Sequence, residues 1–259
     1  MLRKPLHDIF PAPPADLDPQ LLDPAAVPVH LGVIMDGNGR WARKRALNRL
    51  NGHRAGIEAV RELIRCANDV GVRYVTIYSF SSENWARPVD EVGGLMNLFA
   101  TTMLAEVEGL HEEGVRVRTI GRLDALPART REAFERAELR TRDNDGMTLV
   151  VAVNYGGRDE LVHAASQLVD QALRAERAGR EAPVVDAAAL ERCLHTAGIP
   201  DPDLILRTSG EMRLSNFLLW QAAYAEFSCT DVLWPDFTRY DLLRALLDYQ
   251  GRERRYGAV

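Results

Sequence analysis

Val29-His-Leu-Gly-Val-Ile-Met-Asp-Gly-Asn-Gly-Arg-Trp41 is an apolar run that stops abruptly in an acid, two glycines, an amide and an arginine. An apolar run of this length, ended by glycines, predicts a buried strand feeding a tight turn. Glycine lets backbone N–H groups approach an anion closely, and a helix starting after the turn would add its positive end. Arg40 can fork onto phosphate oxygens. Asp36 repels a phosphate, so its place beside an anion site makes sense with a divalent cation between them. The segment suggests metal-assisted diphosphate chemistry.

Outward from this stretch the chain alternates strand-like and helix-like segments. Helical spacing of Ile57, Val60, Leu63, Ile64 and Ala67 predicts a helix over 52–69, followed by a strand over 72–80. A longer helix is expected over 88–111, a strand over 115–120, a helix over 127–142 and a strongly β-prone strand over 147–153. A polar-faced helix over 158–178, short strands at 204–207 and 231–234, and a closing helix over 240–250 complete the pattern. Such alternation implies crossover units: an α/β domain with a mostly parallel sheet and helices on both faces. Residues 1–28, rich in Pro, Asp and Ala, read as a flexible or loosely docked arm.

At 259 residues the chain can bury one sizeable core, and its 46% hydrophobic and 27% charged content is that of an ordinary globular protein. The net charge of -5 argues against a nucleic-acid partner bound through a global basic field. Apart from Lys4 and Lys44 the basic residues are arginine, a bias that fits genomic base composition. Cys66, Cys193 and Cys229 are scattered, with no metal-binding spacing, as in a reduced cytoplasmic protein. No apolar run reaches transmembrane length.

In parallel sheets, ligands bind outside the carboxyl ends of the strands. Four such ends carry polar, glycine-bearing or arginine-bearing turns: Asp36–Trp41 with Arg49 and His53 beyond, Ser81–Pro88, Asn154–Arg158, and Arg207–Asn216. Each is weak alone; their coincidence points to a site. There is no P-loop, Rossmann fingerprint or G-x-S-x-G elbow, and no Asp-Asp pair of the kind used by all-helical prenyl synthases.

Six segments together resemble the cis-prenyltransferases, and within them the bacterial undecaprenyl diphosphate synthases, over about residues 29–257. They are His30 with Met35–Trp41, Gly52-His53-x-x-Gly56, Tyr78–Pro88, Asn154–Arg158, Arg207–Phe217 and Asp231–Phe237. The resemblance implies a single catalytic domain over 29–259 with an apolar tunnel, working as a homodimer with Mg2+. It implies addition of isopentenyl diphosphate to an allylic diphosphate, farnesyl diphosphate being expected. The product would be a long-chain polyprenyl diphosphate such as undecaprenyl diphosphate, the lipid-carrier precursor for cell-wall synthesis. The alternative is a short-chain Z-prenyl diphosphate synthase. The enzyme would be cytoplasmic, peripheral to the inner face of the membrane that receives its product.

By the same resemblance Asp36 positions Mg2+ on the leaving diphosphate, and Glu226 also touches the metal. Gly37, Asn38, Gly39 and Arg40 form the cradle, with Arg49, His53 and Arg87 nearby. Arg207, Arg213, Leu214 and Ser215 hold isopentenyl diphosphate, reached across the dimer by Arg255 of the tail. Asn84, with Ser81, Ser82 and Glu83, lies where a proton must leave. A neutral amide has no useful pKa near neutrality, so Asn84 is expected to orient the substrate while the departing diphosphate takes the proton. Trp41 and Trp85 are expected to wall the reacting allyl group. The tunnel would draw on the 88–111 helix (Val92, Leu95, Met96, Phe99, Met103, Leu104, Val107, Leu110) with Ile57, Leu63 and Ile77, and Met147 at its floor. Ser79, small and near the mouth, favours a long product.

Three residues depart from the family pattern: Ser209 and Ala46 stand where glycine is common, and Met212 where histidine is common. Two other classes fit parts of the pattern. A non-catalytic partner subunit would have lost the acid and arginines that Asp36, Arg40 and Arg49 retain. A phosphate-ester hydrolase would need a water-activating base and no long apolar tunnel.

Overall fold

The structure is a computed structural model and describes residues 2–252. Six strands, β1 (His30–Ile34), β2 (Tyr74–Ser81), β3 (Arg116–Ile120), β4 (Thr148–Tyr155), β5 (Leu204–Thr208) and β6 (Glu226–Thr230), form one sheet in the order β3-β4-β2-β1-β5-β6. Every neighbouring pair is parallel. All five residues of β1 and of β5 are buried, as expected where both faces are covered. Alternate residues face opposite ways: Leu31, Val33, Val75, Ile77, Leu149, Val151, Leu204 and Leu206 enter the main core, while Ile34, Val150, Ala152 and Ile205 enter a smaller one.

The α-helices are α1 (Leu6–Ile9), α2 (Asn38–Lys44), α3 (Arg49–Val70), α4 (Val89–Glu112), α5 (Ala128–Thr141), α6 (Gly157–Arg177), α7 (Ala187–Glu191) and α8 (Arg239–Gln250). α3, α4, α5 and α8 pack on the main core through Leu63, Leu95, Phe134 and Leu242. α6 and α7 make a separate cluster with Trp220. The crossovers from β1 to β2 and from β4 to β5 travel in opposite directions along the sheet, so right-handed connections place α3 and α6 on opposite faces. β1 and β5 therefore flank a topological switch point, where a crevice opens above the strand ends. None of the described helices is long and apolar enough to cross a membrane.

One expectation is corrected and another is narrowed. The last strand is Glu226–Thr230, and the apolar 231–234 segment is a connection. It crosses the end of β1, where the Trp234 N–H donates to the Asp36 carbonyl (3.0 Å). Its apolar residues are buried as a plug, which periodicity cannot tell from a strand. The N-terminal arm is docked. Ile9, Phe10, Leu17 and Leu22 join the main core, and Arg239 Nη1 donates to the Ile9 carbonyl (2.9 Å). Arg244 pairs with Asp16 (3.1 Å), and Lys4 with Asp69 (2.9 Å). Proline-rich composition rightly argued against long regular structure, but spaced apolar anchors suffice for packing. Burying one such side chain contributes about 1.5–3 kcal/mol.

Ala46 and Ser209, the two residues found where glycine is common, both have left-handed backbone, at φ 54° and 80°. Left-handed conformation costs a residue with a Cβ about 1–2 kcal/mol. Ala46→Gly is therefore expected to stabilise the fold by about 1 kcal/mol and to raise Tm by about 2–4 °C, read by thermal unfolding; an unchanged or lowered Tm contradicts the strain.

Candidate active site

The turn after β1 begins at Asp36. Gly37 follows at φ 108°, a conformation that a Cβ disfavours, with Leu233 only 3.0 Å from where that Cβ would sit. The turn folds the Gly37 N–H back onto Asp36 Oδ1 (2.6 Å). Across the sheet, Ile34 pairs with Arg207, so the end of β5 lies beside the acid. Arg207 Nη2 donates to Asp36 Oδ2 (2.8 Å), while Thr208 holds the backbone: its hydroxyl donates to the Asp36 carbonyl (2.6 Å) and accepts the Asp36 N–H (2.9 Å). Partial burial of Asp36 opposes its charge, but the Arg207 bond, the Gly37 N–H and the charges of Arg207 and Arg40 outweigh it. They hold the carboxyl below the usual range, ionised at neutral pH.

Arg207 is itself only 3% exposed. Its Nη1 donates to Ser215 Oγ (2.7 Å) and to the Arg213 carbonyl, so one guanidinium joins Asp36 to the Arg213–Ser215 loop. Its buried Nε has no partner among the described residues. Arg40 Nη2 donates to Ser209 Oγ and stands 3.7 Å from both Asp36 and Glu211. The Arg213 side chain pairs with Glu211 as well. On the other rim Glu91 takes Arg87 at 3.0 Å and Arg49 at 3.6 Å. Gly39 lies in the first turn of α2, and Arg49 Nε is 2.8 Å from where its Cβ would be. His53 sits between these arginines. Burial, then the charges of Arg87 and Arg49, push its pKa down to about 4, so it presents a neutral imidazole.

The strand-end loop after β2 begins with register shifts around Phe80, which re-aim Ser81 and the turn beyond. Asn84 Oδ1 accepts the Ser81 N–H (3.2 Å), and Asn216 Nδ2 donates to Glu83 Oε1 (2.7 Å), tying the loops after β2 and β5 together. Ser82 Oγ donates to Glu83 Oε2 (3.4 Å). Ser215 and Asn216 are left-handed at φ 50° and 65°, strain of the kind that gathers at functional sites.

A cavity of about 350 Å3 opens from this cluster. Asp36, Asn38, His53, Ser81, Asn84, Arg87, Arg207 and Ser215 line its mouth, and Ser79 lies among them. Its walls are apolar: Ile57, Val60 and Ile64 of α3, Phe99, Met103 and Leu110 of α4, and Ile77, Phe134 and Leu149. α3 and α4 both run from the site toward the opposite end of the sheet, so the cavity descends between them. From His53 to Arg65 is about 18 Å and from Leu98 to Glu113 about 22 Å at 1.5 Å per residue.

Several expected residues stand elsewhere. Glu226 opens β6 in register with Leu204, five positions below Asp36 along the strands, or about 16 Å at 3.3 Å per residue. Its carboxylate takes Arg252 (2.9 Å), so this chain does not bring it to Asp36. Trp41 and Trp85 do not line the cavity. The Trp41 indole donates to Asp236 (2.6 Å) and lies under Arg45, 4.0 Å from its centroid; the Trp85 indole donates to Asn154 (2.7 Å). Trp234 lines the cavity instead. Met147, Leu63, Val92, Leu95 and Met96 are buried in the core beside the cavity and do not wall it. Leu214 packs on the smaller core, Met212 is 81% exposed, and Arg255 lies outside the described residues. α2 is only seven residues long, and the positive charge gathered here comes from arginine side chains. Thr208, Glu91 and Glu211 were not anticipated. Thr208 and Glu211 lie within the Arg207–Phe217 motif, and Glu91 falls four residues after Arg87 at a spacing that pairs charges on a helix.

The family model described as "Putative undecaprenyl diphosphate synthase" matches residues 34–257. The isoprenyl transferase of Heliobacterium mobile is 46% identical over 92% of this chain and 90% of its own length; that of Clostridium tetani is 45% identical over 92% of both. Among solved structures, lavandulyl diphosphate synthase from Lavandula x intermedia, in complex with dimethylallyl diphosphate, has a TM-score of 0.85 and 34% identity, covering 90% of this chain and 100% of its own. A probable undecaprenyl diphosphate synthase from Campylobacter jejuni has a TM-score of 0.72 and 30% identity, covering 89% and 99%.

Because His53 is held neutral, the unfolded chain binds more protons than the folded one between pH 6.5 and about 4, and this stability contribution shrinks as pH falls through that window. NMR titration is expected to place the His53 midpoint near pH 4; a midpoint near 6.5 would mean that the imidazole is neither buried nor flanked by arginines.

Proposed function

The chain belongs to the cis-prenyltransferase (isoprenyl transferase) family, enzymes that transfer prenyl groups, and we propose that it joins isopentenyl diphosphate to an allylic diphosphate at Asp36. One observation carries the reading. Asp36, an ionised carboxylate bonded to Arg207 and 3.7 Å from Arg40, lines the mouth of an apolar cavity together with Arg87 and Arg207, and Arg49 and Arg213 stand on its rims in pairs with Glu91 and Glu211. Guanidinium groups suit two diphosphates, and an apolar channel suits a prenyl tail. A hydrolase has no use for such a channel.

The residues divide the work. Arg40, Arg49 and Arg87, with Asn38 and the neutral His53, bind and orient the allylic diphosphate, while the Gly37 N–H holds Asp36. Arg213, Ser215 and Arg207, whose Nε has no partner among the described residues, take the second one in this reading. Asn84 orients isopentenyl diphosphate. The carbon–oxygen bond to the leaving diphosphate breaks, a carbon–carbon bond forms, and the released proton goes to the departing diphosphate. No three His, Cys, Asp or Glu side chains gather to cage a metal among the described residues. Mg2+, however, is commonly bound through one carboxylate and substrate phosphates. Asp36, ionised and with spare acceptor capacity on both oxygens, fits that mode. The chemistry a bound Mg2+ supplies there is neutralisation of the leaving diphosphate. The homodimer belongs to the same proposal on family grounds, as does a cytoplasmic place of work.

The product is proposed to be a short-chain Z-prenyl diphosphate rather than undecaprenyl diphosphate. Taking about 1.1–1.2 Å per bond from an extended backbone, a four-bond isoprene unit spans about 4.5 Å. A depth of about 18–22 Å then houses about four to five units, and eleven would need about 50 Å. The higher TM-score to lavandulyl diphosphate synthase leans the same way. One observation favours the longer product: Ser79 on the lining is small.

Mass analysis of products from farnesyl and geranyl diphosphate with isopentenyl diphosphate and Mg2+ tests both parts. Products of at most about five units are expected, abolished by a chelator and restored by Mg2+. A product of eleven units would overturn the length, and chelator-resistant turnover the metal.

A further inference from the structure

Two ion pairs join α3 to α4 over the deeper part of the cavity, Arg61–Glu106 about 12 Å along the helices from His53 and Leu98, and Arg65–Glu113 at the far end. Arg61 Nη2 is 2.5 Å from Glu106 Oε1, and Arg65 Nε is 3.0 Å from Glu113 Oε1. Glu58 holds the other side of Arg61 (2.7 Å), and the docked arm reaches the same place, where Arg3 Nη1 donates to the Glu113 carbonyl (3.2 Å). All four paired side chains line the cavity, yet they are 27–60% exposed. The wall here is one side chain thick, with water on its outer side. Above it the facing stripes of the two helices are apolar. At the pairs themselves the charges are of opposite sign, positive on α3 and negative on α4 and at its C-terminal end.

A charged pair is a poor wall for hydrocarbon, because an alkyl chain replaces none of the hydration or pairing that the charges need. It is also not a strong tie, since half-exposed pairs contribute little to stability. Packing alone would be met by leucines at the same positions. What the pairs add is a polar stop: a growing tail that reaches them must either halt or part them and enter water.

We propose that Arg61–Glu106 and Arg65–Glu113 form a stitched end-wall that sets the longest product and, when parted, lets the tail leave sideways between α3 and α4. This rests on the prenyl-chain reading of the cavity. An apolar lip would let the tail continue onto the outer surface of the helices, so losing the charge should lengthen the product even when the side-chain volume is kept.

The test uses the full chain with farnesyl diphosphate, isopentenyl diphosphate and Mg2+, comparing products by mass at equal isopentenyl incorporation. Glu106→Leu and Glu113→Leu are each expected to extend the longest product by at least one isoprene unit, and the double variant by more. The charge-swapped R65E/E113R is expected to return the wild-type ladder. Should the leucine variants fail to fold, Glu106→Gln and Glu113→Gln carry the same expectation with a near-isosteric side chain. An unchanged ladder in folded single and double variants overturns the end-wall, as does a swapped pair that lengthens the product as much as E113L. If the wild type makes no prenyl product at all, it is the activity that fails, which the wild-type arm shows separately.

Discussion

The contact between Asp36 and Arg207 is the constraint on which the site depends. The two residues are 171 positions apart and meet because β1 and β5 are neighbours, parallel and in register. A carboxylate at a sheet end would ordinarily drift toward its protonated form as burial increases. Here a nearly buried guanidinium, a backbone N–H and a second arginine hold it charged. Thr208 clamps the same peptide from the next position of β5, so the orientation of the acid is set by the sheet rather than by a mobile loop. The connection after β6 adds a further anchor through Trp234, whose indole also donates to the Gly56 carbonyl on α3 (3.0 Å).

From that contact two environments diverge. Toward solvent the arginines compete for too few acids: Glu91 serves two of them, and Glu211 another two. An anionic ligand relieves that competition, which makes the pocket receptive to diphosphate without any net positive charge on the protein as a whole. Toward the interior the walls turn apolar within one helical turn, from His53 to Ile57. A ligand that is anionic at one end and greasy at the other satisfies both at once. The left-handed residues Ser209, Ser215 and Asn216 sit in the loops that frame this boundary and Asn154 at the end of β4 beside them, so the cost of backbone strain falls where these segments must approach one another.

Much of this was legible in the chain. The helix boundaries of α3, α4, α5, α6 and α8 lie within about three residues of those expected from hydrophobic spacing, because long amphipathic helices bury one stripe whatever the tertiary context. The turn at Asp36 was legible because only glycine-rich polar residues end so apolar a strand. What could not be read was spatial adjacency. Nothing near Arg207 in the chain says that its partner is Asp36, and nothing in the 231–234 run distinguishes a buried plug from a strand. Glu226 was placed by analogy near the metal, but strand register sets it low on the sheet. Trp41 and Trp85 looked like walls because they flank the site in sequence; each instead spends its indole N–H on an acceptor away from the cavity. The arm stayed open between flexible and docked, because composition reports on regular structure and says little about anchoring.

The central claim is that the charge on Asp36, kept by Arg207, is what couples a divalent cation to the allylic diphosphate. Calorimetry with a non-reactive thio-analogue of the allylic diphosphate, titrated with and without Mg2+ into the native chain and into Asp36→Asn, measures that coupling directly. The account predicts that Mg2+ tightens binding to the native chain by about tenfold or more, the scale of one lost charged interaction, and that this gain disappears in the asparagine variant. An equal Mg2+-dependent gain in both proteins would contradict it.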